Sequence, residues 1–227
     1  LVAMVGHDFY QGQRDGTKGY PRFTDVRLRR PTEYAGYLRM ATERSLARCR
    51  VNSFDVVLLH NPDHAGFTSD EVWKGMGRLV DAKLTERVGV APGPANGYLL
   101  DTMLNFVRFA GLVQCAMIIL SPLESWPGYL CLPAAAKYGV KLLARGVDHG
   151  GLFHDDIRPR HTFGPLDHRR VRAAGWVEGG LEKIESMRPF AASHRLSMLQ
   201  LACLWALSQP AVTSVVPTLM QELSGVK

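Results

Sequence analysis

Cysteine is scarce in this chain of 227 residues. Cys49, Cys115, Cys131 and Cys203 lie far apart, without the close pairs that zinc ribbons and dithiol redox motifs need, and read as buried thiols in a reducing compartment. No apolar run approaches the roughly 18 residues of a membrane span, and the opening residues lack the charged-then-apolar order of a secretory signal. A soluble, cytoplasmic protein is the expectation. Low-complexity linkers and internal repeats are missing, and no glycine-rich dinucleotide fingerprint follows any strand-like run. The charge surplus is modest: 27 basic residues against 21 acidic ones leave +6, which favours anionic, phosphate-bearing ligands and specifies no fold. An initiator methionine is also missing. The chain opens on Leu1 inside an apolar run, which reads as a fragment.

What is present is a rhythm of short apolar runs separated by amphipathic stretches. Strands are predicted at Leu1 to Gly6, Phe54 to His60, Arg87 to Ala91, Val113 to Leu120, Val140 to Gly146 and Thr213 to Pro217. Most are continuously apolar, as expected of parallel strands covered on both faces. Helices are predicted from Pro31 to Cys49, from Ser69 or Asp70 to Leu84, from Tyr98 to Ala110, and as a final pair over 178–195 and 197–209, with Pro189 breaking or bending the first of that pair. Trp73, Trp205, Met76 and Met198 fall at core spacing. Six β/α units in one direction predict a (β/α)8 barrel, missing its first two units, as a single partial domain over 1–227; an open doubly wound sheet is the alternative.

In barrels of this kind the chemistry sits at the carboxyl ends of the strands. Those ends carry Met4 and His7, then His60, Asn61 and Asp63, Ala91 and Pro92, Ser121, Arg145 and Asp148, and Pro217 and Thr218. His60 is the sharpest candidate, because a terminal imidazole can donate to a carbonyl oxygen at the mouth. The competing reading is a structural histidine.

The segments RSLARCRVNSFDVVLLHNPD, EVWKGMGRLVDAKLTERVGVAPG, LVQCAMIIL, VKLLARGVDHGGLF and MLQLACLWALSQPAVTSVVPT, in this order, resemble the aldo-keto reductase family from Leu1 to about Thr218. The resemblance implies a (β/α)8 barrel that binds NADP(H), ahead of NAD(H), and reduces a small aldehyde or ketone. It further implies a tyrosine acid, a lysine that lowers the tyrosine's pKa, an aspartate partner for that lysine, and a histidine that orients the carbonyl. The histidine position is His60. The lysine position is Met4, a thioether that cannot carry charge. The aspartate and tyrosine belong to units before Leu1. The serine and asparagine that hold the carboxamide correspond to Ala91 and Pro92, and the glutamine that shares the task to Gln114. Arg145 takes a position where a planar group stacks on the nicotinamide. Gly150, Gly151 and Leu152 fall in the loop that wraps the pyrophosphate, and Thr218 and Leu219 near the adenosine phosphate. No basic residue follows them until Lys227.

Two loops invite other readings. His154, Asp155, Asp156, His161, Asp167 and His168 suggest a metal site, but their spacing fits no ligand pattern, and a polar loop over the mouth is favoured. The nearby arginines lack interleaved aromatics, so no nucleic-acid partner is expected. Tyr10, Lys18 and Tyr20, in a glycine-rich loop, are not expected to replace the missing catalytic residues, since such a loop holds a proton donor too loosely.

Overall fold

The computed structural model describes residues 1–16, 19–93, 97–165 and 167–218. Its six strands are β1 (Val2–Val5), β2 (Phe54–His60), β3 (Thr85–Ala91), β4 (Val113–Ile119), β5 (Lys141–Arg145) and β6 (Val212–Val216). All neighbours are parallel and the spatial order is the chain order, β1 to β6. A doubly wound sheet reverses its order at a switch point; this sheet does not. It is an arc of a (β/α)8 barrel.

The connecting helices are α1 (Tyr34–Cys49), α2 (His64–Thr68), α3 (Asp70–Asp81), α4 (Leu99–Arg108), α5 (Cys131–Tyr138), α6 (Trp176–Ser193) and α7 (Met198–Leu207). Helix α3 shows why such segments pack outside a barrel. Ser69 is its N-cap residue, and Val72, Trp73, Met76 and Leu79 form one buried stripe against the strands. The Trp73 indole N–H donates to the Gly66 carbonyl at 3.0 Å, so the largest buried side chain leaves no polar atom unpaired.

Strand residues divide by parity. Val57, Leu59, Val88, Val90, Ala116, Ile118, Leu142 and Ala144 face the helices in the main core, while Val56, Leu58, Ala91, Cys115, Met117 and Leu143 fill the lumen. A third cluster, including Leu152, Phe153, Ile184 and Met198, lies under the loop after β5.

Several expectations need correction. Helices α2 and α5 lack the periodicity that reveals a helix: α2 is a single turn capped by the Asp63 carboxylate, and α5 carries Pro133 in its first turn, where a missing N–H costs nothing. Helix α6 continues through Pro189 without a break, because the exposed ring leaves the unpaired carbonyl one turn earlier to water. Cys49 is exposed at the end of α1; of the others, burial pushes Cys131 up to about 12.

Candidate active site

The parity that sends Val57 and Leu59 outward turns Val56, Leu58 and His60 inward, and His60 is the last residue of β2. The chain turns sharply at Asn61, whose φ is +47° and whose N–H donates to the Ala91 carbonyl at 2.8 Å. The His60 ring is therefore half-buried at the carboxyl end of the lumen, and neither nitrogen has a hydrogen-bond partner among the described residues. Burial, then the neighbouring His7 ring and the positive charges of Arg145 and Arg22, lower its pKa. A neutral imidazole with one N–H and one lone pair faces the mouth.

His7 stands beside it, with ring centroids 5.6 Å apart. Its Nδ1–H donates to the Tyr20 carbonyl at 2.7 Å, which leaves Nε2 to accept from the Asn61 amide at 3.4 Å. The loop that supplies His7, Tyr20 and Arg22 is pinned at several points. Asp8 accepts from the Tyr10 and Gln11 N–H groups at 2.9 and 3.0 Å and pairs with Arg29 at 2.6 Å, both side chains being buried. Burial works to raise the Asp8 carboxyl, but the Gln11 N–H and Arg29 outweigh it and hold the pKa below its usual value. The expectation of a loose loop is corrected by this buried charge pair. Tyr10 nevertheless turns toward α1, where its hydroxyl accepts from Arg48 at 3.1 Å. Arg22 donates through Nε to the Asn61 carbonyl at 2.6 Å. No periodicity or motif in the sequence marks Arg22 as a mouth residue; its partner lies 39 positions away.

Met4 pairs with Leu58 in register and lies on the lumen side of β1, in the same small cavity as His7 and His60. Arg145 ends β5 and reaches across the mouth to donate through Nη2 to the Pro92 carbonyl at 3.3 Å. Burial lowers its pKa, against the opposing pull of Glu124. Beyond it His149, Gly150 and Gly151 take φ of +49°, +67° and +98°, three successive left-handed residues. The Gly150 and Leu152 N–H groups have no acceptor among the described residues, and that is the chemistry a phosphate oxygen satisfies. Leu152 contributes backbone only, since its side chain is buried in the cluster under the loop. Thr218 lies two residues past β6 and is part-exposed. Lys18, Leu219 and Lys227 lie outside the described residues.

Gln114 is not brought to the mouth. It is the second residue of β4, exposed, and about 16 Å below the carboxyl end at the usual strand rise. Its parity is that of Ala116 and Ile118, which face the helices. Met117 is the β4 residue that faces the lumen nearer the mouth. Ala91 and Pro92 offer no side-chain donor, so Asn61 supplies the side-chain amide at this end.

The polar loop gathers no metal cluster among the described residues. Asp148 and His154 pair at 3.2 Å, Asp155 binds Arg188, and Asp167 binds Arg169. No described helix is long and apolar enough to cross a membrane.

Comparison with known proteins fits this geometry. The family model described as the aldo/keto reductase family matches residues 16–223. A probable voltage-gated potassium channel subunit beta of Oryza sativa subsp. japonica is 25% identical over 187 residues, 76% of this chain and 54% of the relative. Among solved structures, a glycerol dehydrogenase from Gluconobacter oxydans superposes with a TM-score of 0.73 at 23% identity, over 95% of this chain and 62% of that one. An aldo/keto reductase from Klebsiella pneumoniae in complex with NADP and acetate gives 0.59 at 18% identity, over 82% and 57%. The chain thus spans little more than half the length of these relatives.

Proposed function

Because the chain belongs to the aldo/keto reductase family, we propose that it forms a single partial barrel domain, residues 1–227, of an NAD(P)H-dependent oxidoreductase that reduces a small aldehyde or ketone to its alcohol. The observation that carries this reading is the half-buried imidazole of His60 at the carboxyl end of the lumen, whose nitrogens have no hydrogen-bond partner among the described residues. In its neutral form it donates its N–H to the carbonyl oxygen, orienting the substrate and stabilising charge that develops on oxygen.

A nicotinamide dinucleotide, when bound, would supply the hydride. Residues suited to hold it are Arg145, whose plane can stack on a ring, and the loop of Gly150, Gly151 and Leu152, with Thr218 further along. NADP(H) is preferred to NAD(H), a choice supported by the NADP complex of the Klebsiella pneumoniae protein. Gln114 is withdrawn from this set by its position at the far end of β4.

A second reading is a catalytically impaired relative that serves as a cofactor-binding or interaction module. Met4, Ala91 and Pro92 favour it, since none can supply the charge or donors that the resemblance expects at those positions. Titration of the complete protein with NADPH and NADH, followed by tryptophan fluorescence and by turnover of aldehydes, separates the two. Quenching with turnover supports the reductase, quenching without turnover supports the module, and no quenching at millimolar cofactor refutes both. Met4→Lys is expected to raise carbonyl reduction; no gain with cofactor binding intact would mean that β1 does not carry the lysine position at residue 4.

A further inference from the structure

We infer that the carbonyl compound taken at this mouth carries its own negative charge, because Arg22 and Arg145 form a cationic bracket about His60 suited to the carboxylate of a short formyl or oxo acid. This rests on the reductase reading and names its substrate class.

Each guanidinium is anchored on a backbone carbonyl next to the imidazole. Arg22 holds the carbonyl of Asn61, the residue after His60. Arg145 comes from the far side of the arc and holds the carbonyl of Pro92, the residue after Ala91, which is the register partner of His60. Both side chains are half-buried, and neither has a carboxylate within ion-pair distance among the described residues. Arg22 commits only Nε and Arg145 only one Nη, so Nη groups of both are left for a ligand.

Arg22 shares a cleft with Asp15, Asp25 and Asp63, none of them within ion-pair distance of it, and Asp25 is held by Arg27. Carboxylates near the mouth are engaged as well. Asp8 is taken by Arg29, Asp63 by the Gly66 N–H and the Thr24 hydroxyl, and Glu124, which acts on Arg145 from a distance, by His149 and Arg172. The permanently charged groups that act on His60 are Arg145 and Arg22, both cationic. Half-buried cations that lack a close ion-pair partner are costly, and an anionic ligand relieves that cost where a neutral one of equal shape does not. The bracket therefore selects for charge at the position beside the carbonyl that His60 orients.

The test uses the complete protein with NADPH present. Binding of butyrate and of butyramide is measured by calorimetry, and turnover of 4-oxobutanoate is compared with that of its methyl ester. Butyrate is expected to bind at least tenfold more tightly than butyramide, and the acid to exceed the ester in kcat/KM by a similar factor. Arg22→Gln should cut both ratios about tenfold, while Arg22→Lys should keep part of them. Equal binding of butyrate and butyramide, or ratios unmoved by Arg22→Gln, would overturn the inference. So would competition between butyrate and NADPH, which would give the bracket to a cofactor phosphate. Arg22-dependent butyrate binding without turnover of any carbonyl would leave the bracket standing and remove the reductase reading.

Discussion

Replacing Arg29 by methionine removes one half of a charge pair that has almost no access to water. Its side chain is 5% exposed and that of Asp8 is 0% exposed, with Nη2 and Oδ2 2.6 Å apart. The guanidinium also donates to the Phe23 carbonyl at 2.8 Å and to the Gln11 side chain at 2.9 Å, and lies 4.1 Å from the centre of the Tyr37 ring. Removing one partner of such a pair costs about 3–5 kcal/mol, because the other charge stays buried. The Tyr10 and Gln11 N–H groups still bind Asp8, so the lower figure, about 3 kcal/mol, is expected. For a domain of this size that corresponds to a fall in Tm of roughly 6–12 °C. Urea unfolding at pH 7, followed by fluorescence, reads the loss as a lower midpoint at unchanged slope. The pH dependence has a definite sign. The folded pKa of Asp8 is depressed below 3.8, so its stabilisation is present above 3.8 and is lost as pH falls through the lowered value. The gap between wild type and Arg29→Met should close over the same acid range. A cost below about 1 kcal/mol at pH 7, or a gap that persists in acid, would refute the view that this pair pins the loop carrying His7 and Arg22.

Other expectations follow from single contacts. A Cβ on Gly89 would collide with the Cys115 carbonyl oxygen, at the register shift between β3 and β4. Gly89→Ala should therefore cost about 1–3 kcal/mol in the same urea assay, and an unchanged midpoint would contradict the close approach of the two strands. The folded pKa of His60 is lowered from 6.5, so the unfolded chain binds more protons in the window below 6.5 and stability falls as pH drops through it. His60→Gln should flatten that part of the stability curve; an identical curve in the variant would place the imidazole in water.

Much of the arrangement was legible in local pattern. Runs of Val, Leu and Ile locate the six strands to within a residue or two, and FDVVLLH by itself ends a two-sided strand on an imidazole. The resemblance placed Arg145 and the loop at 150–152 next to the same mouth, and the left-handed conformations of Gly150 and Gly151 agree with glycine at those positions. Gln114 shows the limit. A strand has a period of two and a direction, so its side chains are assigned to lumen or helix, and to mouth or base, only when its first residue is known. The apolar run starts at Val113, as β4 does, so the base position of Gln114 was readable there; the resemblance, and not the strand's direction, had assigned it to the mouth.

By itself the sequence determined the six strands and the helices α1, α3, α4, α6 and α7, because burial of apolar faces at a fixed period depends on near neighbours alone, whereas α2 and α5 carry no such period. Only the tertiary structure decided which charges meet. Arg22 and Asn61 are 39 residues apart, and Arg145 and Pro92 are 53 apart. Their contacts exist because successive strands close side by side into an arc and lay the loops over one end, an arrangement that no local pattern encodes. The charge surplus visible in the composition became a bracket about one histidine only when the chain had folded.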